Sequence, residues 1–455
     1  MSIMAGILAL LLNEGKILKS LKIGICGLGT VASGVINVIQ RNHKEIAARA
    51  GCTLDVIRVA SRTKKDNCDL SNIKFSTDLM DVVNDQDVEV FVELIGGADL
   101  AKQLVCAAIK KGKHVVTANK ALIAVHGNEI FQLAAEHKVN VCYEAGVAGG
   151  IPIIKSIREG LAANKINWIA GIINGTGNFI LTEMKDKQRE FYDVLQEAQA
   201  LGYAEADPTF DVEGIDAAHK LTILASAAFG VPLQFDRAFT EGISQVTPMD
   251  VRNADALGYT IKHLGITRMH QTGIELRVHP TMIPKDQMIA KVDGVMNAIL
   301  VKGDAVGQTM YYGAGAGSEA TASAVIADLV DVSRSIHAGE CTPVPYLGFS
   351  PNEIKDLPVL PIDEISSAYY LRVMAEDHPG VLAKVASIMS DLGINIESVM
   401  QRESEQDGDV IPLVLLTHEV KERQINLAIS QIEALKTTRN KVVCIRVEHF
   451  NHSSQ

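Results

Sequence analysis

A run of acidic residues precedes a very apolar helix near the middle of the chain and is the segment best suited to chemistry. Its carboxylates are Glu205, Asp207, Asp211, Glu213 and Asp216. Asp216 and Lys220 are four residues apart and therefore share one face of a helix. Such a pair is usually a solvated surface ion pair, but apolar residues surround this one. A partly desolvated lysine beside carboxylates can donate a proton to a developing alkoxide, and the acids can bind an ammonium group.

The segment Gly27-Leu28-Gly29-Thr30-Val31-Ala32 has GxGxxA spacing between a predicted strand and a predicted helix. Gly27 allows a tight turn, Gly29 lets the backbone approach a pyrophosphate, and Ala32 lets the helix pack closely on the strand. The phosphates would rest at the helix N-terminus, where free N–H groups and the helix dipole favour anions. A glycine-rich turn of an unrelated α/β fold is the alternative, and the position after the first strand favours dinucleotide binding.

The end of the second predicted strand bears on the choice between NAD and NADP. An Asp or Glu there would bind the ribose 2′-hydroxyl of NAD. This strand instead ends at Ala60 and is followed by Arg62, Lys64 and Lys65. Cations without an acid at the strand tip favour the 2′-phosphate of NADP, and a solvated basic loop is the alternative.

An alternation of strands and helices must position these residues. Apolar strands are predicted at residues 21–26, 54–60, 88–93, 115–117 and 140–143, with helices between them. This alternation predicts an α/β fold with a doubly wound parallel sheet. Residues 151–312 mix strands and helices without that rhythm, which predicts an α+β region with its own core. We expect this region to carry catalysis, because it contains the acidic segment, and dimerisation is also assigned to it.

The C-terminal third of the chain predicts a further domain. A long helix within residues 313–340 is expected to complete the nucleotide domain of residues 21–150. Several prolines predict a linker at residues 341–365. Residues 366–455 alternate as strand, helix, strand, strand, helix and strand, the order of a ferredoxin-like βαββαβ domain.

Composition limits the partners. The chain of 455 residues has a formal net charge of −11, which argues against nucleic acid. The apolar run at residues 7–12, within an N-terminal extension of residues 1–20, is too short to span a membrane and lacks the cationic start of a signal peptide. The seven cysteines have spacings that suit neither zinc nor a disulfide framework. Reduced thiols and a cytoplasmic location are therefore expected.

The acidic segment also resembles a known family. Its sequence YAEADPTxDVEGxDAAHKL is similar to the signature of homoserine dehydrogenases. GLGTVASG, TANK, YEAGVAGGIPII, NGTGNFIL and GAGAGSEATASAV follow the order of that family over about residues 21–340. The resemblance implies a Rossmann-type domain and the NAD(P)-dependent interconversion of L-homoserine and L-aspartate 4-semialdehyde in threonine, methionine and isoleucine biosynthesis. Ala32 and Ala320 depart from the glycine and proline of many members.

The resemblance assigns roles to the positions that match the motifs of the family. Catalysis would involve Lys220 as proton donor, Lys120 near the nicotinamide, and Asp216 as the acid that orients the lysine. The substrate would be bound by Tyr203, Glu205, Asp211 and Lys220. The cofactor would be bound by Gly27, Gly29, Thr30, Val31, Arg62, Lys120 and Gly317. A monovalent cation, usually sodium, would be held at Glu144, Val147, Gly149 and Ile151.

The loop at residues 377–382 resembles the entry loop of an ACT regulatory domain. The resemblance implies paired domains that bind a free amino acid, usually threonine in this family, within a homodimer or homotetramer. The effector would be contacted by Asp377, His378, Gly380, Val381, Leu382 and Asn395. A module that serves only dimerisation is the alternative.

Two other functions compete with this interpretation. One is a Rossmann oxidoreductase that acts on a different amino-acid aldehyde or alcohol, and the segment from Glu205 to Lys220 argues against it. The other is a catalytically silent amino-acid sensor, and the presence of Lys120 and Asp216 beside Lys220 argues against that. No kinase-like region precedes residue 21, so we expect a monofunctional enzyme.

Overall fold

The computed structural model describes residues 19–65, 67–339, 344–401 and 410–450. The apolar run at residues 7–12 lies outside these residues. The chain divides into two compact units, Met1–Gly149 with Gly317–Tyr346, and Gly150–Ala316 with Leu347–Gln455. Among the described residues, no helix is long and apolar enough to cross a membrane.

The first unit contains a six-stranded sheet with the order β3-β2-β1-β4-β5-β6. All its strands are parallel. They are β1 (Ser20–Cys26), β2 (Thr53–Ala60), β3 (Lys74–Ser76), β4 (Val90–Glu93), β5 (His114–Thr117) and β6 (Val141–Cys142). This is the strand order of a Rossmann-type fold, so the predicted α/β class is confirmed.

Helices alternate with these strands, as parallel connections require. They are α1 (Thr30–Arg41), α2 (His43–Ala50), α3 (Met80–Asn84), α4 (Asp99–Lys110), α5 (Lys120–His137) and, from far along the chain, α12 (Ser318–Ala338). Helix α12 packs on α1, where Ser318 Oγ donates to the Thr30 carbonyl oxygen at 2.8 Å and Arg41 pairs with Glu319. The late helix therefore belongs to the nucleotide-type unit.

The second unit contains a mixed sheet with the order β12-β11-β7-β9-β10-β17-β13-β15-β14, with two short strands, β8 and β16, beside it. Its first strands are β7 (Ile166–Ile172), β8 (Phe239–Thr240), β9 (Tyr259–Met269), β10 (Ile274–Pro284), β11 (Met296–Gly303) and β12 (Gly307–Ala314). The later strands are β13 (Ser366–Glu376), β14 (Ile396–Gln401), β15 (Val410–Thr417), β16 (Val420–Lys421) and β17 (Thr438–Val447).

The helices of the second unit cover this sheet. They are α6 (Ile153–Lys155), α7 (Gly175–Lys187), α8 (Phe191–Ala200), α9 (Thr209–Val212), α10 (Ile215–Phe229), α11 (Pro248–Ala256), α13 (Val381–Asp391) and α14 (Glu422–Glu433). A π-helical turn, Ser156–Gly160, continues α6. Short 3-10 turns of this unit lie at Phe235–Arg237, Met288–Lys291, Pro351–Glu353 and Ile362–Glu364, and one of the first unit lies at Glu144–Gly146. From β13 to β17 the order is that of the predicted ferredoxin-like domain, with β16 added.

The catalytic and C-terminal parts of the second unit share one sheet. Strand β17 pairs in parallel with β10, where Thr281 lies opposite Arg446. The segment predicted as a linker is hydrogen-bonded to the catalytic part, because the carbonyl oxygen of Pro358 accepts from the backbone N–H of Ile274 at 2.9 Å. The C-terminal domain is therefore joined to the catalytic part by sheet pairing as well as by the chain.

Candidate active site

The lysine–aspartate pair forms at the start of α10. Gly214 precedes the helix with a φ of 82°, and a Cβ there would lie 2.9 Å from Val278 Cγ1, so the turn requires glycine. Lys220 Nζ lies 2.7 Å from Asp216 Oδ2 and 2.8 Å from the carbonyl oxygen of Ile173. The lysine and aspartate side chains are only 12% and 8% exposed. The pair is therefore shielded from water, which strengthens its electrostatic attraction.

Asn174 joins the acids beside Lys220. Its side-chain amide donates to Asp211 Oδ1 at 2.7 Å and to Asp216 Oδ2 at 2.9 Å. Its Oδ1 accepts from the N–H of Gly177 at 2.7 Å and caps α7. Asn174 begins the NGTGNFIL motif, and the sequence alone assigned it no role. An asparagine directly before a helix is a capping signal, and that signal could have identified it.

The loop that contains Tyr203 and Glu205 lies against α7. Thr176 Oγ1 donates to the Tyr203 carbonyl oxygen at 2.6 Å, and the Tyr203 ring packs edge-to-face on Phe179 at 5.1 Å between centroids. Tyr203 and Glu205 are both exposed. The predicted substrate residues therefore form two groups: the buried acids and lysine around Asn174, and two residues on an exposed loop.

In the first unit, the glycine loop follows β1 beside β4, where the strand order reverses. Gly27 has a φ of 97°, and a Cβ there would lie 2.5 Å from the carbonyl oxygen of Leu94, so this position requires glycine. At Gly29 a Cβ would meet no described heavy atom within 4 Å. Helix α1 begins at Thr30 without a side-chain cap. Open backbone N–H groups at a helix start can bind phosphate.

Gly317 lies next to this glycine loop. It directly precedes α12 and has a φ of 122°. The next residue, Ser318, bonds to Thr30 as described above, and a Cβ on Gly34 would lie 2.6 Å from the Ser318 carbonyl oxygen. The fold therefore brings together two glycine segments that are distant in sequence. Arg62 lies exposed after β2.

A buried carboxylate that the sequence analysis missed anchors the loops after β4 and β5. Glu93 Oε2 accepts from Thr117 Oγ1 at 2.6 Å, and its Oε1 accepts from the N–H of Ile95 at 2.9 Å. Burial raises the pKa of Glu93, and these hydrogen bonds oppose the rise. Asn119 caps α5, whose first residue is Lys120. The position of Lys120 is therefore fixed by the loops that Glu93 anchors.

The segment predicted to hold a cation contains a buried acid. Glu144 is 2% exposed, and its backbone N–H donates to Asp328 Oδ2 at 2.9 Å. Val147 is buried, and Gly149 and the residue before it have φ values of 36° and 53°. A buried carboxylate followed by a sharp turn supplies hard oxygen donors, which suit a monovalent cation. Ile151, the second residue of the second unit, is also buried.

A cavity of about 320 Å³ lies at the start of α13. Its lining includes the predicted effector residues Asp377, His378, Gly380, Val381 and Leu382. Gly380 has a φ of 93°, and α13 begins after it without a side-chain cap. Asn395 does not line this cavity; it is exposed, and its carbonyl oxygen accepts from the N–H of His418 at 3.0 Å.

The features found in the two units are typical of one class of protein. One unit is a Rossmann-type sheet with an open glycine loop at its switch point, and the other places a shielded lysine against carboxylates. These are the parts of an oxidoreductase that uses a nicotinamide nucleotide.

Comparison with known proteins identifies the family. The profile described as homoserine dehydrogenase matches residues 152–330, its NAD binding domain matches residues 27–144, and the ACT domain matches residues 369–437. The chain is 62% identical over 434 residues to the homoserine dehydrogenase of Pseudomonas aeruginosa, which covers 95% of this chain and 100% of the relative. The chain belongs to the homoserine dehydrogenase family.

Solved structures agree with this assignment. A homoserine dehydrogenase from Thiobacillus denitrificans superposes with a TM-score of 0.90 at 55% identity, covering 94% of this chain and 98% of that chain. A hyperthermophilic archaeal homoserine dehydrogenase in complex with NADPH superposes with a TM-score of 0.61 at 26% identity, covering 70% of this chain and 98% of that one.

Proposed function

We propose that this protein interconverts L-homoserine and L-aspartate 4-semialdehyde with a nicotinamide cofactor. The proposal rests on the shielded Lys220–Asp216 pair, which Asn174 joins to Asp211, in a chain of the homoserine dehydrogenase family. A Rossmann oxidoreductase that acts on a different aldehyde or alcohol would not require this set of acids around one lysine.

Lys220 supplies the proton in the reducing direction. The bound nicotinamide supplies the hydride. As negative charge develops on the aldehyde oxygen, the lysine ammonium donates a proton to it and the product alcohol forms. Asp216 and the Ile173 carbonyl hold Nζ from two sides, so the proton is delivered from a fixed position. In the oxidising direction the neutral amine takes the proton from the hydroxyl group.

The carboxylates bind the amino group that the substrate and product share. Asp211 is fixed by Asn174, so it is already oriented before substrate arrives. Glu205 and Tyr203 lie on the exposed loop anchored through Thr176. We expect that loop to close over the bound substrate and to bring the Glu205 carboxylate to the ammonium group.

NADP is the cofactor that the described residues favour. The backbone from Gly27 through Gly29, Thr30 and Val31 offers an open helix start for the pyrophosphate. Gly317 adds a second close backbone segment, and Lys120 begins a helix whose N-terminus favours negative charge. Exposed cations at Arg62, Lys64 and Lys65 suit the 2′-phosphate. The archaeal relative solved with NADPH supports this choice.

The C-terminal module provides regulation in this proposal. The cavity at residues 377–382 has the size and open helix start that a free amino acid requires, and threonine is the effector that the family resemblance implies. The enzyme would then serve threonine, methionine and isoleucine biosynthesis under feedback control. A sodium ion at Glu144, Val147, Gly149 and Ile151, the homo-oligomer and the cytoplasmic location stay predictions.

The deciding experiment is a substrate screen. Purified enzyme is mixed with NADPH and with aspartate 4-semialdehyde or a panel of related amino-acid aldehydes, and the loss of NADPH absorbance is followed. We expect the highest kcat/KM with aspartate 4-semialdehyde. A higher kcat/KM with another aldehyde would reject the proposed substrate.

A further inference from the structure

The C-terminal module shares its packing with the catalytic part. Beyond the β10–β17 pairing, one hydrophobic cluster contains Phe179 and Met282 from the catalytic part together with Tyr370 and Val447 from the module. Tyr370 also donates to the buried carboxylate of Asp250 at 3.0 Å. Since a shared core transmits displacement rather than absorbing it, the module is in a position to affect catalytic residues directly.

Arg446 in β17 bonds to residues of both parts. Its guanidinium donates to both oxygens of Glu422 in α14. Another of its nitrogens donates to Glu241 Oε2 of the catalytic part at 2.7 Å. The same group lies 5.0 Å from the centroid of the Phe239 ring. Arg446 is only 5% exposed, so the position of Glu241 is tied to that of the module.

Glu241 begins a loop, residues 241–246, that we call the clamp loop. In this loop the Ile243 N–H donates to the Val212 carbonyl oxygen at 2.9 Å, and Ser244 Oγ donates to Glu213 Oε1 at 3.2 Å. A Cβ on Gly242 would overlap the Glu213 carboxylate and lie 2.8 Å from the Val212 carbonyl oxygen. The clamp loop therefore holds the two residues that precede Gly214 and the start of α10.

A cavity of about 590 Å³ lies between the clamp loop and β17. Its walls include Gln245 and Val246 of the clamp loop and Val443 and Ile445 of β17. The backbone of Glu241 is held on the side of the catalytic part, because its N–H donates to the Val278 carbonyl oxygen at 2.8 Å and its carbonyl oxygen lies 3.0 Å from His263 Nε2. On the side of the module, the Arg446–Glu241 pair spans the edge of this cavity.

We propose that Arg446 is a positioning residue for the reaction. It adds a side-chain anchor from the module to the start of the clamp loop, the clamp loop contacts the turn before α10, and that turn sets the positions of Asp216 and Lys220. The expected loss of kcat rests on the function proposed for the Lys220–Asp216 pair, while the mechanical link can be measured without it.

Glu241→Gln tests the link with little risk to the fold, since Arg446 keeps its two bonds to Glu422 and loses only the negative charge of its third partner, which weakens that bond. We expect kcat to fall by about 2- to 30-fold, the range for residues that couple to a distant site. The KM for NADPH should not change, because the cofactor loop belongs to the other unit. Arg446→Lys keeps the charge but loses the forked contact, and should lower kcat in the same way.

Glu448→Gln is the matched control. Glu448 directly follows β17 and pairs with a buried arginine of the catalytic part, Arg277, at 2.6 Å, and no bond of its side chain reaches the clamp loop. The same chemical change there should leave kcat unchanged. Melting temperature, measured for every variant, corrects kcat for the folded fraction.

Hydrogen exchange gives a readout that needs no activity. Peptides that cover residues 209–220 should exchange faster in Glu241→Gln than in wild type or Glu448→Gln. If the wild-type enzyme rejects aspartate 4-semialdehyde but this difference appears, the proposed substrate is wrong and the link holds. If Glu241→Gln shows wild-type kcat and wild-type exchange, Arg446 is not a positioning residue. The same conclusion follows if Glu448→Gln lowers kcat and speeds exchange as much as Glu241→Gln does.

Discussion

Asn174 and Lys220 donate to the same oxygen of Asp216, at 2.9 and 2.7 Å. The Asp216 carboxylate cannot rotate without weakening both bonds. The uncharged amide of Asn174 therefore keeps Asp216 in the orientation in which it binds Lys220. Because Asn174 also contacts Asp211, one uncharged side chain keeps two carboxylates close together.

Asn174→Ala should therefore damage catalysis more than stability. We expect kcat to fall by about 10²-fold, the effect of a misplacement near 1 Å, and the lost helix cap to cost about 1 kcal/mol. Steady-state kinetics and thermal melting measure the two effects. Thr247→Ala removes the cap of α11 and should reduce stability alone. Equal losses of kcat in both variants would contradict this role for Asn174.

Lys220→Ala should reduce kcat by about 10²- to 10⁴-fold, because the alkoxide loses its proton donor. NADPH affinity, measured by fluorescence titration, should stay at the wild-type value. Lys220→Arg keeps the positive charge but transfers a proton poorly, so it should resemble the alanine variant. A near-normal kcat in Lys220→Ala would remove the lysine from the mechanism.

Arg62→Ala should weaken NADPH use and leave NADH use unchanged. Loss of one charge-assisted contact to the 2′-phosphate corresponds to about 1.5–3 kcal/mol, or roughly a tenfold or greater rise in the KM for NADPH. The measurement is kcat/KM with each cofactor. Lys44→Ala changes an exposed lysine of α2 and serves as the control. A wild-type preference for NADH would show that the basic loop is only solvated.

His263 should make the protein less stable in mild acid. Burial lowers its pKa from 6.5 to about 4, so between those pH values the unfolded chain binds a proton that the folded chain does not. The contribution of His263 to the free energy of unfolding is therefore fully present above about pH 6.5. It decreases by on the order of 3 kcal/mol as the pH falls towards 4.

His263→Gln tests this assignment. The glutamine amide can donate to the Glu241 carbonyl oxygen, which lies 3.0 Å from His263 Nε2, and it does not titrate. The melting temperature of the variant should fall less between neutral and mildly acidic pH than that of wild type. Identical pH profiles would mean that other buried groups, such as His279, account for the acid sensitivity.

Asp377→Ala should weaken the response to threonine without lowering kcat, because Asp377 lines the cavity at the start of α13. Activity measured against threonine concentration gives the inhibition constant. Asp391→Ala changes an exposed acid at the other end of the same helix and should respond like wild type. If threonine and the related pathway amino acids leave wild-type activity unchanged, the module has no effector of this class.

The sequence predicted the fold best where apolar strands were continuous, as in β1 and β4. The signal is weaker at β9, because Lys262, His263 and Thr267 interrupt the apolar pattern. These residues are buried in β9 with partners from other segments: Lys262 Nζ donates to the Val292 carbonyl oxygen at 2.6 Å, and Thr267 Oγ1 donates to the Glu275 carbonyl oxygen at 2.6 Å. A polar residue whose partner is distant in sequence gives no local signal of burial.

The same limit applies to the site. Asp216 and Lys220 were predicted because four residues on a helix guarantee contact. Asn174 lies 42 residues before Asp216, and Glu93 lies 24 residues before its partner Thr117. Only the fold brings such pairs together, so their roles could not be deduced from spacing.

The pairing of β10 with β17 has a consequence for synthesis on the ribosome. Strand β10 emerges long before β17, so part of its backbone edge must wait unpaired while the rest of the chain is made. Unpaired strand edges recruit other chains, and nascent intermediates are exposed to that risk. Slow translation through the C-terminal module should therefore favour aggregation, and chaperones that cover strand edges should matter most for this enzyme during those last steps of elongation.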